Sequence, residues 1–231
     1  MNVTSSGLTR AAGAAAAIAG SIFIAVQVNH PTEAAFDTQT TEWVVRCSAK
    51  GVMAVLALAG ITGMYLRQHR QAGLLGLVGY VVFAIGYLTM FAVQVVATSV
   101  LPALLDTDRT YVMDVVQAAG GGTPTSDIGA IQVVLNVAGA GYMLGGLLFG
   151  IALFRTGILP RWASALLAVS TIGTAALAVL PDAFNRPFAV PEGIALIGLG
   201  VALWRNPSDA RDAHAPRSTE PAGAVAEPAV R

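Results

Sequence analysis

The sequence predicts an all-α fold, a polytopic membrane bundle of six transmembrane helices with both termini cytoplasmic. Three observations predict it. First, the 231 residues are 55% hydrophobic and only 11% charged, with a mean hydropathy of +0.67. A soluble domain carries about 25% charge, so too little is present to cover a water-facing surface of this size. Second, six stretches are apolar enough to span, at roughly 11–28, 47–66, 73–99, 128–154, 162–180 and 188–204; a spanning helix needs about 20 such residues. Third, the short segments on one side contain Arg10, Arg67, Arg70, Arg155, Arg161 and Arg205 with no acid among them. The other side holds Glu33, Asp37, Glu42, Asp106, Asp108, Asp114, Asp127, Asp182 and Glu192, offset only by Arg46, Lys50, Arg109 and Arg186. The positive-inside rule then places the arginine side in the cytoplasm.

Each element has its own justification. The first apolar run, Ala11 to Val28, is longer than the core of a signal peptide and is preceded only by Arg10, so it reads as an uncleaved helix. The arginine-side connections are tight hairpins, Arg67 to Gly73 and Arg155 to Arg161. The third helix can run on through Pro102 to Leu105, and residues 108–119 can form a short interfacial helix ended by Gly120-Gly-Gly122. The sixth begins at Pro191-Glu192, where proline suits a first turn and the carboxylate favours the helix dipole. Residues 1–205 thus form the transmembrane domain, and the Pro-, Ala- and charge-rich residues 206–231 a disordered cytoplasmic tail.

Small residues are frequent inside the spans. Gly73, Gly76 and Gly79 recur every three positions, and Gly141-x-x-x-Gly145 and Gly146-x-x-x-Gly150 lie in the fourth. Such spacing lets backbones approach closely. Packing within one bundle is the expected use, and homodimerisation through the fourth helix the alternative.

Polar groups inside a span are costly and point to function. Glu42, Arg46 and Lys50 are spaced to share one helix face. They make either a structural ion network or part of an outward-facing cavity. Gln27, Gln94, Thr98, Gln132 and Asn136 lie at similar depth, and Tyr80, Tyr87 and Gln94 recur every seven residues. Together these groups suggest a partly polar pocket in the outer half, with Trp43, Arg46, Lys50, Gln94, Gln132 and Asn136 as candidate substrate contacts. The inner half is almost wholly Ala, Gly, Leu and Val, which argues against a continuous polar pore. Among the acids, Glu33, Glu42, Asp114 and Asp182 lie where a loop meets apolar sequence. A carboxyl group in such surroundings has its pKa raised and can serve as an acid.

Other function classes fit poorly. The 13 basic residues balance 13 acidic ones without a basic block, so no nucleic-acid partner is expected. Nucleotide-binding, zinc-protease, serine-hydrolase and paired aspartate-rich diphosphate motifs are absent. His30, His69 and His214 fall on opposite sides of the membrane and cannot bracket a heme. The single cysteine, Cys47, reads as a packing residue, and no metal or cofactor is expected.

The stretch Gly60-Ile-Thr-Gly-Met-Tyr-Leu-Arg-Gln-His-Arg-Gln-Ala-Gly-Leu-Leu-Gly-Leu-Val-Gly79 resembles a recurring feature of small six-helix membrane proteins from actinobacteria. So does Phe154-Arg-Thr-Gly-Ile-Leu-Pro-Arg-Trp-Ala163, and the resemblance covers roughly residues 47–204. It concerns topology, and much of that group has no assigned activity. In size, helical character and membrane acids without diphosphate motifs, the chain is also similar to bacterial integral-membrane terpene cyclases. That likeness implies a carboxylic acid protonating an alkene or epoxide of a prenylated substrate. A cation cascade in an apolar cavity would follow, with Trp43, Phe36 or Tyr111 facing the cation. No motif aligns, so no catalytic residue carries over. Three classes stay open: an enzyme on a lipophilic substrate dissolved in the bilayer, a small permease, and an accessory membrane protein.

Overall fold

The computed structural model describes residues 4–178 and 187–207, and every regular element among them is helical. Helix α1 spans Ser5–Ala25, and the Thr4 hydroxyl caps it by accepting from the Gly7 amide at 3.1 Å. This polar first turn lies before the apolar run, so the helix starts earlier than hydropathy alone places it. A 3-10 turn at Glu33–Ala35 leads into α2, Thr40–Ser99.

Helix α2 is hydrogen-bonded over 60 residues but leaves helical geometry at Gln68 and at Gly73, whose φ is +58°. That left-handed value suits glycine. A straight helix of this length would measure about 90 Å. Instead the two arms, 40–67 and 74–99, run back to back: Thr62 Oγ1 meets Tyr80 Oη at 3.0 Å, and the Tyr65 and Tyr80 rings stack with centroids 4.7 Å apart. The hairpin expected between Arg67 and Gly73 is thus present within one hydrogen-bonded run.

Helix α3, Leu101–Leu104, follows a break at Val100, with Pro102 in its first turn. Helix α4, Arg109–Ala119, is capped by Asp108, which accepts from the Tyr111 amide at 3.0 Å; Gly120 ends it. Helix α5, Ile131–Thr156, stops at Gly157 in the left-handed region, and Pro160 opens α6, Arg161–Gly173. A 3-10 stretch, Thr174–Ala178, extends α6. Helix α7 is Ala189–Arg205, with Pro191 in its first turn. The expected tail lies almost wholly outside the described residues.

Three helices, α1, α2 and α5, are long and apolar enough to cross a membrane. Helices α6 and α7, with 13 and 17 residues, are shorter. Many large apolar side chains point outward, including Leu66, Leu74, Val133 and Val169, all more than 60% exposed. Such a surface is unfavourable in water.

The helices close into a ring in which α1 packs on α2, α2 on α5, α5 on α6, α6 on α7 and α7 on α1. Glycines set the contacts. A Cβ on Gly13 would lie 2.6 Å from the α7 backbone at Gly200 and Trp204, and one on Gly86 would lie 2.5 Å from the Tyr142 nitrogen in α5. Gly141 and Gly145 face α2, whereas Gly146 and Gly150 face α6. Both glycine pairs of α5 are therefore covered within the chain.

The Thr156 hydroxyl donates to the Gln68 side-chain oxygen, so the α2 turn and the α5–α6 turn stand together at one end. Arg67, Arg70, Arg155 and Arg161 gather there, while α4 and the 33–35 turn cover the other end. Two apolar cores result. The main one, with Met64, Phe83, Phe149 and Leu199, fills the ring; a smaller one of Phe36, Trp43, Cys47, Leu101, Val112, Val115, Val116 and Ile128 lies under α4.

Candidate functional site

A cavity of about 600 Å³ lies at the α4 end, with walls drawn from both cores. Phe23 and Gln27 come from the end of α1 and the turn after it, and Glu33 and Phe36 from the 3-10 turn. The first arm of α2 gives Trp43, Cys47, Lys50 and Met53, and the second gives Met90 and Gln94. Val115 and Val116 of α4 roof it, and Leu135, Asn136 and Tyr142 of α5 close the far side. Its size lies within the range of about 300–1,000 Å³ found for small-molecule sites.

The lining is mostly apolar with a few polar groups. The indole Nε1 of Trp43 and the side-chain oxygens of Gln27 and Gln94 are buried without a hydrogen-bond partner among the described residues. These are three of only four such atoms there, and all three belong to cavity residues. A buried polar atom left unbonded costs about 1–3 kcal/mol. Satisfying them calls for a molecule that offers both hydrogen-bond donors and an acceptor.

The charged groups of the first arm are arranged by α1. Arg46 Nη1 donates to the carbonyl oxygens of Val26 and Val28 at 2.8 and 2.9 Å, and Nη2 to Asn29 at 3.1 Å. Its Nη2 also pairs with Glu42 at 2.7 Å. The guanidinium thus binds the carbonyls of the C-cap residue Val26 and of the turn after α1, beside a helix end where a cation favours the dipole. Arg46 and Glu42 belong to a structural clamp beside the cavity and do not line it. Lys50 does line it; its Nζ lies 2.9 Å from His30 Nε2 and 5.9 Å from the Trp43 ring centre. His30 Nδ1 sits 2.8 Å from the Pro31 carbonyl oxygen, so Nδ1 carries the proton and Nε2 accepts from lysine.

The four candidate acids separate. Glu33 is on the cavity wall. Glu42 is largely exposed and paired with Arg46. Asp182 lies outside the described residues. Asp114 is buried, but in a polar nest: its carboxylate accepts from the Thr125 amide at 2.8 Å, the Ser126 amide at 2.9 Å and both hydroxyls. The Ser126 hydroxyl and then the Thr125 amide hold its pKa below the ordinary 3.8. The rise expected for an acid at an apolar boundary is therefore reversed, because the carboxylate finds donors rather than hydrocarbon. Asp114 fastens α4 to the loop after it.

Other expected contacts divide as well. Gln94, Trp43 and Asn136 reach the cavity, as do the rings of Phe36 and Trp43. Gln132 donates to Asn136 at 3.0 Å from outside the lining, and Tyr111 reaches toward the Ile128 carbonyl instead. The stripe of Tyr80, Tyr87 and Gln94 serves three purposes: Tyr80 bonds Thr62, Tyr87 bonds Glu192, and Gln94 reaches the cavity. Glu192, read from sequence as a partner of the helix dipole, is 1% exposed and faces Tyr87 across the bundle. The signal was in its place: a carboxyl one turn into an apolar helix, with neighbours that are all small or apolar.

The fold and site define a helical protein with a mostly apolar cavity and a few polar groups, three atoms of which are unbonded among the described residues. No protein-family profile, curated protein or solved structure matches the chain.

Proposed function

We propose that the chain is a multi-pass membrane protein that binds a lipophilic small molecule with a hydroxyl-like polar end. In this reading it spans the bilayer six times with both termini cytoplasmic, and the cavity lies in the outer half. The two arms of α2 count separately, and α6 and α7 complete the ring. The separation of arginine turns from the acidic α4 end supports that orientation.

One observation carries the ligand class: Trp43 Nε1, Gln27 Oε1 and Gln94 Oε1 are unbonded among the described residues, in a mostly apolar cavity of about 600 Å³. A prenyl alcohol or a prenylated phenol offers hydrocarbon for the walls and a hydroxyl that donates to one of the two glutamine oxygens while accepting from the indole.

The test uses Trp43 as reporter, since Trp162 and Trp204 sit on the outer surface. The W162F/W204F protein in phosphatidylcholine vesicles is titrated with brominated farnesol. Saturable quenching, reversed by unlabelled farnesol, is the expected result; quenching linear in probe concentration overturns the reading.

A catalytic extension rests on Glu33, the one described candidate acid on the wall, which it shares with Phe36 and Trp43. Its carboxyl would protonate an alkene or epoxide, and loss of a proton from the rearranged cation would restore the acid, leaving the substrate's mass unchanged. Mass spectrometry of membranes fed farnesylated aromatics should then show an isomer of altered retention that Glu33→Gln abolishes. An isomer unaffected by that change, or none, removes the extension and leaves binding.

A further inference from the structure

The geometry points to a lateral opening between the two arms of α2, through which the cavity's lipophilic ligand passes to and from the bilayer; this rests on the binding reading above. A second, shallower groove of about 290 Å³ runs along the outside of the arms. It shares two wall residues with the cavity, Cys47 and Gln94, so a single layer of side chains separates them. Its rim is lipid-facing: Val52, Val55 and Val95 are each 45–55% exposed.

The seam between the arms is closed toward the arginine turn and loose above it. Near the turn, Thr62 bonds Tyr80 and the Tyr65 and Tyr80 rings stack. At Gly51 the arms only touch: a Cβ there would lie 3.6 Å from the Gln94 Cβ and 3.8 Å from the Phe91 ring, which is ordinary contact. The α2–α5 seam differs, since a Cβ at Gly79 or Gly86 would lie 2.5–2.6 Å from α5 backbone. The wall at the groove is therefore thin and carries the Gln94 oxygen, unbonded among the described residues, as a polar group at the threshold. The occupant is the cavity's own ligand, because the groove is apolar, faces hydrocarbon and is continuous with the cavity walls.

Stopped-flow mixing of W162F/W204F vesicles with brominated farnesol tests this. Val55→Phe and, one turn away, Val52→Phe each crowd the rim of the groove from a half-exposed position that is not on the cavity wall. Both should slow quenching several-fold while leaving its final amplitude unchanged. Unchanged rates with normal amplitude overturn the opening, leaving the groove to lipid acyl chains and routing the ligand past α4, with binding intact. Absence of saturable quenching in the unsubstituted background overturns the binding reading and the opening with it.

Discussion

The phenol of Tyr87 donates to Glu192 Oε1 at 3.1 Å, joining the second arm of α2 to α7 across 105 residues of sequence. Both side chains are 1% exposed, and the other Glu192 oxygen has no partner among the described residues. Tyr87→Phe leaves both carboxyl oxygens without this donor and should destabilise the bundle by about 1–3 kcal/mol. Glu192→Gln keeps an acceptor and should lose less, and the double variant Tyr87→Phe/Glu192→Leu should recover part of the loss. Unfolding in mixed detergent micelles reads all three; equal stability of Tyr87→Phe and the parent would show that the bond contributes nothing.

Arg46 binds three carbonyls at and just after the end of α1 and the carboxylate of Glu42. Arginine presents its donors as a planar fork that lysine lacks. Arg46→Lys should therefore behave nearly as badly as Arg46→Ala, with loss of hydrogen-exchange protection at residues 26–30. Retained protection in Arg46→Lys would mean that charge alone holds the turn.

Gly86 lies against the α5 backbone at Gly141 and Tyr142. Gly86→Val forces the helices apart at a contact that no side-chain rotation can relieve, at an expected cost of about 1–3 kcal/mol or more. Gly139→Val, where added atoms meet open space, is the control. Equal melting temperatures for the two variants would refute the close approach.

Asp114 has a folded-state pKa below its ordinary 3.8. Its contribution to holding α4 is thus complete above that value and is lost as pH falls further, through the folded pKa. The amide proton resonances of Thr125 and Ser126 should hold steady from neutral pH to about 4 and shift only below it. A titration centred above 4 would contradict the bonding pattern, and Asp114→Asn should abolish the shift.

Much of the fold was legible from composition and punctuation. Asp108 and Gly120 bracket α4 as a cap and a stop, and the Arg67–Gly73 and Arg155–Arg161 segments turn the chain where charge and glycine mark them. Start points were less legible: Thr4 and Thr40 open α1 and α2 well before the apolar runs, because capping and first-turn polarity do not register in hydropathy. Within the site, the cavity residues Trp43, Lys50, Gln94 and Asn136 follow from depth and helix face. The roles of Asp114 and Glu192 do not. One depends on hydroxyls eleven and twelve residues away, the other on a tyrosine in a different helix. Sequence spacing carries no information about such pairings.

The tight turn of α2 bears on how the chain is made. Residues 68–73 are too few to let one arm enter a bilayer and settle before the other arrives. Under the proposed topology the Arg67 and Arg70 side chains resist translocation, so the turn would stay behind while both arms insert together. Tyr80, Tyr87 and Gln94 of the second arm would then meet hydrocarbon already alongside a partner. In that topology biogenesis of this region would be a single event, and a truncation that ends the chain between the arms should fail at the insertion machinery rather than in later packing.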